Sequence, residues 1–140
     1  PIMKELPGDV FITGQLLATQ MAALIDQGVM TFVNNRPDME VPLQPLSEEL
    51  EKIAIDRGVD YHHIPMTGGV TEGLIEASKT VFSECPRPIV AFCASGMRSS
   101  VLWAFANVKF LGVDEVMKAL NEAGFNLEQI RAPLEQSLKI

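Results

Sequence analysis

Short apolar runs alternate along this chain with longer stretches whose apolar residues recur every three to four positions. The first run, "VFITG" from Val10, has the length and β-branched content of a strand. "TQMAALIDQG" then puts Met21, Leu24 and Ile25 on one helical face, with Thr19 placed to cap the N-terminus and Gly28 placed as a left-handed C-terminal residue. A second strand, "VMTFVNN", runs into the polar loop "NNRPDMEVPLQP", whose prolines keep it irregular. "SEELEKIAIDRG" repeats the helix pattern: Ser47 as cap, an acidic first turn, Leu50, Ile53 and Ala54 on one face, Gly58 at the end. "VDYHHIPM" reads as a third strand broken at Pro65. Thr71 caps "EGLIEASKTVFSE", in which Leu74, Ile75, Ser78, Val81 and Phe82 share a face, and "RPIVAF" is a fourth strand.

The helix predicted after Ser99 is apolar on nearly every side, the pattern of a buried central helix, and the tail reads as further helix with a break or restart at Pro133. Strands alternating with helices predict an α/β fold, a mostly parallel central sheet with helices on both faces. The loops after Val33, Pro65 and Phe92 would then leave from the same sheet edge, where such sheets bind ligands. The loops carrying Arg36, Asp38, the Thr67 to Gly69 turn and Cys93 are therefore expected to converge. A length of 140 residues suits one domain, 1–140, able to bury its own core.

Composition narrows the partners. The net charge of −7, the pI near 4.7 and the lack of any basic run point away from nucleic acid and from anionic membrane surfaces. Two cysteines, Cys85 and Cys93, are too few for a disulfide framework, and no His/Cys pattern has metal-ligand spacing, so no metal and no cofactor is expected. The start, "PIMKELPGDV", has no apolar signal core, and no stretch has membrane-spanning length. A cytoplasmic location is the expectation.

The candidate chemistry lies in "AFCASGMRSS". A strand enters Cys93, a glycine loop follows, and a helix leaves, so loop N–H groups and a helix N-terminus surround the sulfur and favour negative charge. Both these groups and Arg98 would stabilise a thiolate over a thiol, turning a weak nucleophile into a strong one. Gly96 lets the backbone curl, and Ser99 or Ser100 can cap the helix or donate to the sulfur. Arg98 can also grip a tetrahedral oxyanion in a bidentate manner. Ala94, Ser95, Gly96, Met97, Ser99 and Ser100 complete the expected substrate-binding loop.

"CASGMRSS" resembles the Cys-x-x-Gly-x-Arg loop of rhodanese-type sulfurtransferases and a shortened Cys-x5-Arg signature of cysteine phosphatases. Together with "VFITGQLLATQMAALIDQGVMTFVNNRP" and "YHHIPMTGGVTEGLIEASKTVF", it resembles the beta-lactamase hydrolase-like protein phosphatase-like domain family, once a domain of unknown function, over about residues 9 to 111. That resemblance implies a dual-specificity-phosphatase-like fold, with the nucleophile on Cys93 and the oxyanion-binding arginine on Arg98. Four residues rather than five separate the two, and "PMTGGVT", where such a phosphatase would offer an aspartate acid, contains none.

Asp38, Glu40, His63 and Glu72 are the substitute acids within topological reach, and Arg36 could add charge at the rim. The adjacent His62 and His63 should point to opposite faces of their strand. Cys85 is a second thiol that could resolve an oxidised Cys93. The expected activity is phosphomonoester hydrolysis, of tyrosine or aryl phosphate type, through a Cys93 phosphothioester. The alternatives are sulfur transfer through a Cys93 persulfide and a non-catalytic anion-binding module. The expected partner is a small anionic or phosphorylated substrate, or a sulfane sulfur donor.

Overall fold

A computed structural model describes residues 2–139 of the chain. Strands β1 (Lys4–Leu6), β2 (Val10–Thr13), β3 (Thr31–Asn34), β4 (Asp60–His63) and β5 (Ile89–Phe92) make one sheet in the order β1-β2-β5-β3-β4. The four predicted strands are mutually parallel, and β1 pairs antiparallel with β2. With three residues, β1 is too short to show a periodicity. It is turned back by Gly8 and Asp9, both at positive φ.

Side-chain alternation along β5 divides the core. Ile89 and Ala91 face a large cluster with α3 (Glu72–Glu84), α4 (Met97–Leu111), α5 (Val113–Glu122) and α6 (Arg131–Ser137). Val90 and Phe92 face a smaller cluster with α1 (Ala18–Asp26) and α2 (Ser47–Arg57). All four β5 residues are buried, as expected of a central parallel strand covered on both sides. The expected helix after Ser99 is α4, which begins two residues earlier and is buried without interruption from Ser99 to Ala106. No helix among the described residues is long and apolar enough to cross a membrane.

Two predicted caps moved. Leu17 occupies the N-cap position of α1, and the Gln20 side chain accepts its N–H at 2.8 Å, so Thr19 lies inside the helix. Ser47 is the first residue of α2 rather than its cap. Its N–H donates to Asp38 Oδ1 at 2.8 Å, and its hydroxyl meets Tyr61 at 2.8 Å. The Asp38 carboxylate, brought back by the loop, thus does the capping that a local serine was expected to do. Thr71 caps α3 as predicted, accepting from the N–H of Leu74, and Gly58 ends α2 in the left-handed region. Pro133 sits in the first turn of α6, where a missing N–H breaks no helical bond, so that helix starts before the proline.

Candidate active site

Cys93 is the first residue beyond β5, and it is only 1% exposed. The chain turns over it through residues 94–96 and enters α4 at once, so the orphan N–H groups of the first helical turn lie over the sulfur. Gly96 N–H donates to Cys93 Sγ at 3.1 Å. Gly96 has φ +96°, and a Cβ there would lie 3.0 Å from Ile12 Cγ2, so both backbone and packing demand glycine. Burial by itself would push the Cys93 thiol up. The N–H groups of Ser99, Gly96 and Ser95 outweigh it and bring the thiol below its ordinary value.

The Ser99 hydroxyl has a single proton and donates it to Asn35 Oδ1 at 2.7 Å, which leaves the backbone N–H groups as the constant donors to sulfur. The alkylation rate of Cys93 by iodoacetamide should therefore titrate below the free-thiol value of about 8.5. Arg98→Ala should raise it only in part and leave it below that value, because the lowering comes chiefly from the backbone. A thiol that titrates like free cysteine would mean that the loop is not an anion cradle.

Arg98 leaves the same helical turn and is held by three bonds. Its Nη1 and Nη2 donate to Glu40 Oε2 and Oε1 at 2.8 and 2.9 Å, and Nη1 also donates to the Met66 carbonyl at 3.1 Å. The fork is the bidentate geometry in which guanidinium binds carboxylate most strongly. Arg36 Nε donates to the same Glu40 Oε1 at 2.9 Å, and Arg36 Nη1 donates to Gln15 at 3.1 Å. The hydrogen bonds from Arg98 and then Arg36 hold the Glu40 carboxyl at about 2. Glu40 is thus ionised at neutral pH and cannot serve as the substitute acid. Arg98 is raised above its ordinary value by its bonds to Glu40 first, with the Cys93 charge adding to the rise.

The other expected acids also have different work. Asp38 caps α2. His63 Nε2 donates to the Arg36 carbonyl at 2.8 Å and so supports the loop rather than facing Cys93. Glu72 lies exposed at the start of α3, in a groove with Ile75, Phe105 and Lys109 away from the cradle. Arg36, expected at the rim, is buried at 8% exposure and ion-paired.

Within the loop, Ser100 donates to the Gly96 carbonyl at 2.8 Å, and the Ala94 carbonyl accepts from Gln15 N–H at 3.3 Å. Met97 is exposed, and Ala94 and Ser95 line a shallow cleft of about 560 Å³ with Lys4, Gln15 and Gln20. Cys85 sits at the opposite end of β5, a strand that by itself spans about 13 Å. Burial, then Asp60 and Glu84, push its thiol up, so neither distance nor reactivity suits a resolving role.

Two residues that hold the site went unassigned in the sequence reading. Asn35, 2% exposed, ties three loops together: its N–H donates to the Phe92 carbonyl at 2.8 Å, its Nδ2 to the Ile64 carbonyl at 2.9 Å, and its Oδ1 accepts from Ser99. Gly14 lets the end of β2 approach the cradle, since a Cβ there would lie 2.9 Å from the Ala94 carbonyl oxygen. The available signals were a polar residue directly after an apolar strand and a glycine at the same point of another.

Residues 3–109 match the model of the beta-lactamase hydrolase-like protein, phosphatase-like domain family. A beta-lactamase hydrolase-like protein of Agrobacterium fabrum is 34% identical over 93 residues, 66% of this chain and 22% of that protein. The chain spans less than a third of the length of the curated relatives it matches, between 22% and 30%. A candidate phosphatase from Neisseria meningitidis, 29% identical, superposes with a TM-score of 0.79 over 94% of this chain and 96% of its own. The core catalytic domain of the PP-IP phosphatase Siw14 from S. cerevisiae superposes at 0.68 with 12% identity, over 96% and 84% of the two chains. That likeness shows the fold, which is the one shared by cysteine phosphatases of the dual-specificity type.

Proposed function

Because the chain belongs to the beta-lactamase hydrolase-like protein, phosphatase-like domain family, we propose that it hydrolyses small phosphomonoesters with Cys93 as the nucleophile and Arg98 as the oxyanion clamp. The observation that carries this reading is the ring of N–H donors on a buried sulfur beside a guanidinium fixed by a fork. In the first step the thiolate forms the S–P bond as the ester oxygen departs with its electron pair. In the second, water forms a new P–O bond and yields a proton to solvent, the S–P bond breaks to return the thiolate, and the phosphoryl group leaves as inorganic phosphate. The N–H groups of residues 94–99 and the two N–H groups of Arg98 left without a partner among the described residues, on Nε and the second on Nη2, match the charge spread over the equatorial phosphoryl oxygens.

Among the described residues, the candidate acids Asp38, Glu40 and His63 are engaged elsewhere and not free to protonate the leaving oxygen. Aryl phosphates, whose leaving groups depart as stable anions, should therefore be hydrolysed faster than alkyl phosphates by on the order of 10²–10⁴, the usual contribution of a general acid. Steady-state rates on matched aryl and alkyl esters test this. Equal rates would reveal an acid and overturn the assignment.

The same missing acid, with only four residues between Cys93 and Arg98, favours a second reading, sulfur transfer through a Cys93 persulfide. Persulfide transfer needs no leaving-group proton of this kind. Ping-pong kinetics with thiosulfate and a thiol acceptor, and a sulfur rather than a phosphoryl group on the intact protein by mass spectrometry, would select it. If neither reaction exceeds the Cys93→Ser background, the cradle is an anion-binding module without turnover.

A further inference from the structure

We propose that Asp60, His62 and Cys85 form a binding site for a divalent transition-metal ion of the zinc class, at the sheet edge opposite Cys93. β4 is an edge strand, and its alternation sends Asp60 and His62 to one face and Tyr61 and His63 to the other. The second pair is engaged, Tyr61 with Asn34 and Ser47, His63 with the Arg36 carbonyl. On the first face α3 ends at Cys85, and Cys85 Sγ lies 3.3 Å from His62 Nε2. One donor atom from each of the three residues falls within 4.8 Å of the others.

That spacing suits a tetrahedral ion. Zinc–sulfur and zinc–nitrogen bonds of about 2.3 and 2.0–2.1 Å place the two ligand atoms about 3.6 Å apart, a few tenths of an ångström from the separation seen. The Asp60 carboxylate supplies a third ligand and water the fourth. Asp60 makes no ion pair among the described residues, so its charge is not already matched. Around the cluster stand the carboxylates of Asp60 and Glu84 against one guanidinium, Arg87, which is turned to the Phe82 carbonyl. The last turn of α3 has no basic residue, and its carbonyl end adds partial negative charge.

One sulfur, one nitrogen and one oxygen are the wrong donors for magnesium or calcium, which take oxygen ligands, and the right ones for zinc or cobalt. Motif spacing could not reveal the site, because His62 and Cys85 are 23 residues apart and meet only through the fold. A bound ion would clip the end of α3 to the sheet edge, and so would act on stability rather than on the chemistry at Cys93.

Titration of the full reduced chain with cobalt(II) tests the proposal. Binding should produce thiolate-to-cobalt charge-transfer absorption with intense tetrahedral visible bands, displaced by zinc. Cys85→Ser should lose the charge-transfer band, His62→Gln and Asp60→Asn should weaken affinity at least about tenfold, and Cys93→Ser should keep the full spectrum. Zinc should raise the Tm of the native chain but not of Cys85→Ser. Should Cys85→Ser fail to fold, the exposed Asp60→Asn carries the comparison. Absence of the band, its survival in Cys85→Ser, its loss in Cys93→Ser, or unchanged affinity in Asp60→Asn would each overturn the assignment.

Discussion

Replacing Cys93 with serine is expected to reduce aryl phosphate turnover by roughly 10⁴–10⁶-fold, the scale on which enzymes lose activity with their nucleophile. Anion binding should stay within a few-fold of the original. The two effects separate because the cradle and the nucleophile are different atoms. The N–H groups of Ser95, Gly96 and Ser99 lower a thiol that is already far more acidic than any alcohol side chain. The same donors cannot ionise an alcohol at neutral pH, so Cys93→Ser leaves a protonated hydroxyl facing the phosphorus. Oxygen still accepts from Gly96 N–H, and the side chain keeps nearly its shape in a site that is 1% exposed, so the Tm should change little. Kinetics on an aryl phosphate and calorimetric titration with inorganic phosphate measure the two quantities. Activity retained at a tenth of the original or more would place the nucleophile elsewhere.

The sequence made most of the scaffold legible where a residue acts on its near neighbours, the α1 cap excepted, where Leu17 and Gln20 replace the expected Thr19. Thr71 caps its own helix, Gly58 takes the left-handed end of α2, and the apolar run from Ile89 to Phe92 is a doubly covered strand. The Cys93–Arg98 loop was readable for the same reason, since its donors, glycine and arginine lie within six residues. What escaped otherwise was the set of roles that depend on a return from far along the chain. Asp38 caps α2 across nine residues, displacing Ser47, and Glu40 reaches Arg98 across 58. Asn35 meets Ser99 across 64 residues. No local pattern distinguishes such a residue from a solvated loop polar group, so in sequence Glu40 is a candidate acid and only the fold gives it two guanidinium partners. The three-residue β1 escaped differently: its pairing with β2 supplies the order that its length does not.

Arg98→Lys should lower kcat/KM by roughly 10²–10³, close to the effect of Arg98→Ala, because one oxyanion donor is worth about that much and an ammonium cannot reproduce a planar fork. Lysine keeps the charge, so a small loss would mean that charge alone suffices. The informative comparison is Glu40→Gln. If the Glu40 carboxylate merely competes with substrate for Arg98, removing its charge should raise kcat/KM. If it positions Arg98, the same change should lower kcat/KM, on the order of tenfold, with part of the fork kept by the amide oxygen. The geometry favours positioning: Glu40 and the Met66 carbonyl take both N–H groups of Nη1 and one of Nη2, and Nε–H with the other Nη2–H remains for the phosphoryl oxygens. Arg36 reinforces this, since its bond to Glu40 Oε1 fixes the carboxylate that fixes Arg98. A carboxylate held by two arginines at about 2 stays charged at any pH where the thiolate forms. The fork should therefore be in place before substrate arrives, and Glu40→Gln should depress activity through kcat rather than through KM alone.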